Sequence, residues 1–337
     1  MGRRVTAAQE LVFDHEQVRR NGIESYEGTP LDVRTVIAAM PQHVKDEFRL
    51  DEVPWSRFGH AYGSADDVPG LLARLRSDAE AADQALGRLR SSLVHQGTVG
   101  SAAPLAVPFL LRVAADPTAH DRARTLGLAT AAARRAHWGY GTRSTFLQVA
   151  AQDPLCDCSG YAMNWSVEAA RNALTADADL LLPLLHDPDP EVRTAACYAL
   201  ATATGEADRI ADALRARLPV EETPGGRASL VLAFAELARE HPALGAAARL
   251  RSLWPDPAQP ADVRVAAALG WLCLVDDPVP EELRRVLDAL VSAPDLARDL
   301  DRVRWIAHVD DEQGLARTLD QLLNEAPPGL IDPDPWG

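Results

Sequence analysis

Lysine is all but missing from this chain: Lys45 stands alone beside 33 arginines. Cysteine is scarce as well. Four thiols, at 156, 158, 197 and 273, are too few to staple a chain of 337 residues. No apolar run is long enough to span a bilayer, and one of the longest, Leu180–Leu185, contains Pro183. Met1-Gly2-Arg3-Arg4-Val5-Thr6 leads into no apolar core, so no secretion signal is expected and a cytoplasmic location is. Positive charge is in deficit: a net charge of −15 argues against a general nucleic-acid binder, which needs a basic surface to neutralise phosphates. No stretch alternates apolar and polar residues for long enough to argue for a sheet.

What the chain has is alanine, 59 of them, within a hydrophobic content of 47% that excludes a disordered chain. Alanine is the strongest helix former and has little preference for strands. A nearly all-helical chain cut by Asp-Pro and Gly is therefore expected. The clearest unit lies at 178–204. Leu180, Leu181, Leu184 and Leu185 recur at helical spacing, and His186-Asp187-Pro188-Asp189-Pro190 then breaks the chain. Asp189 suits an N-cap and Pro190 the first helical position. Val192, Ala196, Ala199, Leu200 and Ala203 follow as one apolar stripe, with alanines small enough to let a neighbouring helix approach closely. The pattern returns 71 residues later, with Val263, Arg264, Ala267, Gly270 and Trp271 matching Val192, Arg193, Ala196, Ala199 and Leu200. Gly226, Arg227, Leu230, Ala233 and Phe234 match at a shift of 34. A period of 34 to 37 residues with two helices per period marks an α-solenoid.

Asp187-Pro188-Asp189-Pro190-Glu191-Val192-Arg193-Thr194-Ala195-Ala196 resembles the HEAT-like repeats also found in phycobilisome-lyase-type proteins, and Ala261-Asp262-Val263-Arg264-Val265-Ala266-Ala267 is a second copy. The resemblance is good over 178–275 and degenerate elsewhere. It implies an armadillo-type, all-α fold, a right-handed α-solenoid of paired antiparallel helices. It also implies a scaffold or adaptor more often than an enzyme. Arg193, Arg227 and Arg264 match the arginine with which such repeats tie one repeat to the next, and read as structural. Residues 1–54 do not fit the repeat. They are expected as an N-terminal helical cap of helices near 6–20, 30–40 and 42–50, with repeats over 55–325, whose weaker helices include 142–151 and 295–308, and a tail at 326–337.

Aromatic residues gather in loops of the first half. These are Trp55-Ser56-Arg57-Phe58-Gly59-His60-Ala61-Tyr62-Gly63, His137-Trp138-Gly139-Tyr140-Gly141 and Cys156 to Trp165, with His95-Gln96-Gly97-Thr98 as a fourth loop without an aromatic. The first and fourth look like segments of an actinobacterial group of HEAT-containing proteins, a likeness that carries no role. His60, His95 and His137 fall on one edge of the expected stack. A groove there would present His60, Tyr62, His95, Gln96, His137, Trp138 and Tyr140. The competing reading is that histidines at helix ends merely satisfy free carbonyls. Between Pro117 and Gln152 five arginines, at 122, 124, 134, 135 and 143, face the single acid Asp121. Arg134 and Arg143, flanking Trp138 and Tyr140, would suit an anionic or aromatic small molecule by bidentate bonding and stacking. The alternative is a solvated helix face paired with acids of a neighbouring repeat. Cys156-x-Cys158 lacks the spacing and the second ligand pair of a zinc site, and the glycine loops lack a phosphate-loop lysine. No metal and no cofactor are expected.

These features favour a non-enzymatic scaffold that binds a protein partner through the loop edge of its N-terminal half, with no membrane role. Two enzyme readings compete. One is a HEAT-like alkylpurine DNA glycosylase, permitted by the arginine-rich segment with Trp138 and Trp165 but opposed by the overall acidity. The other is a small-molecule biosynthetic enzyme using His60, His95 or His137 in a dry pocket. The structural reading of the arginine column is directly testable. Arg264→Ala should cost roughly 1–3 kcal/mol by urea denaturation, because it strands a partner and removes stem packing. An unchanged transition would mark the arginine as merely solvated.

Overall fold

Four of the helices start where a short polar side chain holds the first free amides. Asp32, Asp78, Asp189 and Thr223 accept from the backbone N–H of Arg34, Ala81, Glu191 and Gly226. The computed structural model describes residues 31–134, 142–147, 157, 161–203, 205–307 and 314–324. The chain is all-α in class. Its helices are α1 (Val33–Ala39), α2 (Gln42–Asp46), α3 (Val68–Arg74), α4 (Ala79–Leu93), α5 (Ala103–Ala115), α6 (Arg122–Ala132), α7 (Met163–Ala176), α8 (Ala178–Leu181), α9 (Pro190–Leu200) and α10 (Ala207–Arg217). They continue with α11 (Pro224–Glu240), α12 (Ala246–Leu253), α13 (Ala261–Leu272), α14 (Glu281–Val291), α15 (Pro294–Leu300), α16 (Arg304–Ala307) and α17 (Gly314–Leu323). Among the described residues the only sheets are two hairpins, β1 (Gly59–His60) with β2 (Gly63–Ser64) and β3 (Val94–His95) with β4 (Thr98–Val99). No helix among the described residues is long and apolar enough to cross a membrane.

The helices form two units, one drawn from 1–136 and 149–217, the other from 137–148 and 218–337. In the first, α5 is central. It packs on α6 and α7, and almost every residue along it is buried. The α9 stripe of Val192, Ala196, Ala199, Leu200 and Ala203 is buried, and α9 packs against α6. A charge cluster ties helices together beside α5. Asp177, 4% exposed, accepts from Arg112 Nη1 and Nη2 at 3.1 Å and lies 3.5 Å from Lys45 Nζ, while Arg112 Nε donates to Asp46 at 2.8 Å. In the second unit α11 packs on α13. A Cβ at Gly270 would come within 2.8 Å of the Ala235 Cβ, so the small residues of the repeat pattern set how closely these two helices approach. The three arginines of the column differ in what they hold. Arg227 forks onto Asp262 at 2.8 and 2.9 Å and also reaches the carbonyls of Glu221 and Glu222. Arg193 holds the corresponding carbonyls, Asp187 and Pro188, ahead of its own helix. Arg264 donates to the Trp254 carbonyl just past α12.

Arginine recurs at helix C-termini, whose last carbonyls have no partner within the helix. Arg122 takes Ala114 at the end of α5, Arg171 takes Thr202 after α9, and Arg284 takes Leu323 at the end of α17. The most elaborate case involves 142–147, expected as the start of a helix over 142–151. It is a turn that belongs to the second unit. Arg143 donates to the carbonyls of Leu272, Val275 and Asp277 beyond α13, and Arg239 donates back to Arg143, Ser144 and Cys273. These bonds hold the segment by its backbone carbonyls, which a helix would need for itself. The helix expected at 295–308 is likewise interrupted, as α15 and α16. The helix expected near 6–20 lies outside the described residues.

Several carboxylates are held below their ordinary range by groups that donate to the charged form. Asp46 is lowered first by the Arg112 guanidinium, Asp116 by the Thr118 hydroxyl and amide, and Asp78 by the Ala81 amide at the start of α4. A depressed native pKa contributes stability that is complete above the unfolded value of 3.8 and is lost as pH falls through the native one. The melting temperature should therefore fall as pH drops below about 4. An Asp46→Asn, Asp116→Asn double variant should show a shallower fall, and an acid limb identical to the parent's would refute these pairs as contributors.

Candidate functional site

The first and fourth aromatic or histidine loops are the two hairpins. In β3–β4, His95 pairs with Thr98 across a two-residue turn, Gln96-Gly97, in which both residues have positive φ (46° and 79°). That is the turn type whose twist matches a hairpin, and it accounts for Gly97. In β1–β2, His60 pairs with Gly63 across Ala61-Tyr62. The hairpins are stitched together through the backbone. Ala102 N donates to Gly59 O at 3.0 Å, Ala61 N to Ser92 O at 3.0 Å, and Gly59 N to Ser101 Oγ at 2.9 Å. Gly100 lies where β1 crosses: a Cβ there would sit 3.1 Å from Gly59 O and from the His60 Cα.

This crossing brings His60, Tyr62 and His95 together. Tyr62 is 67% exposed, and its ring centroid lies 6.3 Å from that of His60 and 5.4 Å from that of His95, both edge-on. The His60 side chain is 5% exposed and fully committed. Its Nε2 is 2.9 Å from Asp67 Oδ1, and its Nδ1 lies 3.1 Å from the Tyr62 amide. An amide can only donate, so Nδ1 accepts and Nε2–H donates to Asp67, which leaves no lone pair for proton abstraction. His95 differs. Its Nδ1 donates to the Ser91 carbonyl at 3.1 Å, which leaves Nε2 as the acceptor of the neutral ring. The arrangement thus offers an aromatic face, a phenol and one imidazole acceptor. That set suits recognition, with His60 as the strut behind Tyr62. Gln96 is exposed at the tip of its turn.

His137, Trp138 and Tyr140 lie outside the described residues, as do Cys156 and Cys158. Arg134 and Arg143 are each engaged within their own unit. Arg134 stacks 3.6 Å from the Tyr198 ring centroid and donates to the Tyr198 carbonyl, and Arg143 caps the end of α13. Their neighbours in the arginine-rich segment hold acids: Arg122 holds Asp187, and Arg124 holds Asp83 and Asp121. Among the described residues no group of three or more His, Cys, Asp or Glu could hold a metal ion. Two further aromatics of the described loop residues, Trp55 and Tyr161, serve packing. Trp55, 4% exposed, donates to the Leu50 carbonyl. Tyr161 is 1% exposed, and its hydroxyl donates to Leu31 O and accepts from Val33 N at the start of α1. Sequence reasoning missed Gly100, Ser101 and Asp67. Only the Gly-Ser pair carried any local signal of a tight backbone approach.

Residues 179–204 match the HEAT repeat family. The match covers α8, the 3₁₀ turn Leu182–His186 and α9, so the arrangement of two helices joined at Asp187–Asp189 is that of a HEAT-like repeat. An all-α fold that carries one HEAT-like repeat over 179–204 is thus what the fold and the match together give. The search of curated proteins gives no match.

If the crossing at Gly100 positions Tyr62, a methyl group there should disturb it. Gly100→Ala is expected to lower stability by about 1–2 kcal/mol and to move the His60 ring resonances, because the β1 backbone must shift by a few tenths of an ångström. Unchanged His60 shifts with an unchanged melting curve would show that the hairpins are not coupled there.

Proposed function

We propose that this chain is a HEAT-repeat scaffold that binds a protein partner through the loop edge of its N-terminal half. In this reading the paired helices are repeats of a right-handed α-solenoid spanning 55–325, residues 1–54 form the cap and 326–337 a tail. The binding edge is formed by His60, Tyr62, His95 and Gln96; His137, Trp138 and Tyr140, expected on the same edge from the sequence, lie outside the described residues. The observation that carries the reading is Tyr62: a large aromatic side chain, 67% exposed, propped between two imidazoles on paired hairpins. Tyrosine held in one orientation gives large contact area for little lost side-chain freedom, and such residues dominate binding energy in interfaces. The repeat match at 179–204 supports the scaffold class. The enzyme readings find less support. Four arginines of the basic segment are engaged with groups of the protein itself, and His60 has no free ring nitrogen.

The test is affinity capture from the native source with immobilised full-length protein, quantified by mass spectrometry, in parallel with a Tyr62→Ala, His95→Ala double variant. A partner that binds the parent should be retained at least tenfold less by the variant, in line with a hot spot of about 2 kcal/mol. The melting temperature should stay unchanged, since Tyr62 is exposed. Equal retention by parent and variant would overturn the reading.

A further inference from the structure

A cavity of about 450 Å³ opens close to the Tyr62 hairpin, in the same unit. Phe48, Leu50, Trp55 and Pro69 line it with apolar and aromatic surface, and Asp51 and Asp66 bring two carboxylates to it. Asp66 accepts from Ser64 at the end of β2, and Trp55 lies four residues before β1, so cavity and hairpin share one stretch of chain. The Arg49 guanidinium, bound to Glu47, feels the Asp51 charge through space without a hydrogen bond to it. Both carboxylates are exposed, whereas the walls behind them are fixed. Trp55 is 4% exposed with its indole N–H on the Leu50 carbonyl, and Phe48 packs edge-on to Phe109 at 5.4 Å.

Aromatic walls lined also by two exposed carboxylates suit a cation carried on an apolar stem. The stem covers the rings while the charge stays near the acids and water. The chemistry is already realised once here by the protein itself, since the Arg76 guanidinium stacks 4.5 Å from the Phe48 ring centroid. Arg76 itself is not among the residues that line the cavity. With a net charge of −15, the chain also favours a basic over an acidic partner.

We infer that this cavity takes the arginine or lysine side chain of the protein partner, placed beside Tyr62 as the partner's anchor. The inference rests on the scaffold reading for its partner but is tested without one. The probes are two blocked peptides, acetyl-Gly-Gly-Arg-Gly-Gly-amide and the same peptide with neutral citrulline in place of arginine. Each is titrated into the full-length protein while the Trp55 indole N–H is followed by NMR. The arginine peptide should shift that resonance saturably and the citrulline peptide should leave it in place. An Asp51→Asn, Asp66→Asn double variant, which changes only exposed groups, should raise the dissociation constant at least tenfold. Tyr62→Ala should leave the shift intact, so a failure here is separable from a failure of the Tyr62 edge. Equal responses to the two peptides, no response to either, or an unaltered dissociation constant in the Asn variant would each overturn the proposal. A response to free n-butylguanidinium without one to the arginine peptide would overturn the assignment to a partner's side chain, pointing instead to a small organic cation.

Discussion

A protein assembled from many short helices must find partners for the carbonyls left open at every helix C-terminus, and here arginine meets that demand. The ends of α5, α9, α12, α13 and α17 each receive a guanidinium from elsewhere in the same unit. A guanidinium presents five N–H donors in a fixed plane and can bridge carbonyls that point in different directions. Arg143 does so with three, those of Leu272, Val275 and Asp277. An ammonium group is a single hydrated point and cannot span them. The excess of arginine over lysine, which by composition alone reads as a mark of a GC-rich genome, thus has a structural use at the helix ends.

Where the fold could be read from sequence, local signals agreed with one another. At α9 an aspartate cap, a proline at the first helical position and a buried stripe of small residues coincide, and the same segment matches the HEAT repeat. The other elements depend on partners far away in the chain. A helix over 142–151 was reasonable from composition, but Arg143 is bound to carbonyls about 130 residues later, and no local pattern encodes that. The hairpins escaped notice because their strands are two residues each, too short for alternation to register. They exist because backbone groups near 59–61 meet those near 92–102.

The site shows the same division. Sequence singled out His60, Tyr62 and His95 as residues a plain connector does not need, and they do lie side by side. Their roles were not legible. Two histidines that look alike in sequence are used oppositely, because one ring nitrogen of His60 is taken by the Tyr62 amide and the other by Asp67, whereas His95 is tied only through Nδ1. Only geometry separates a strut from a contact. Arg134 and Arg143, attractive as anion ligands beside aromatics, prove to be engaged with backbone carbonyls.

The placement of Lys45 has a consequence for how the molecule can be modified. It is the chain's only lysine, and it is buried against Asp177. The cationic surface is therefore built from guanidinium groups that stay protonated at any physiological pH. Acetylation, methylation or tagging at an ε-amine, the usual means by which a cell edits positive charge on a protein, has no accessible target among these side chains. The charge pattern is in effect permanent, set at translation and alterable only by adding negative charge or by chemistry directed at arginine.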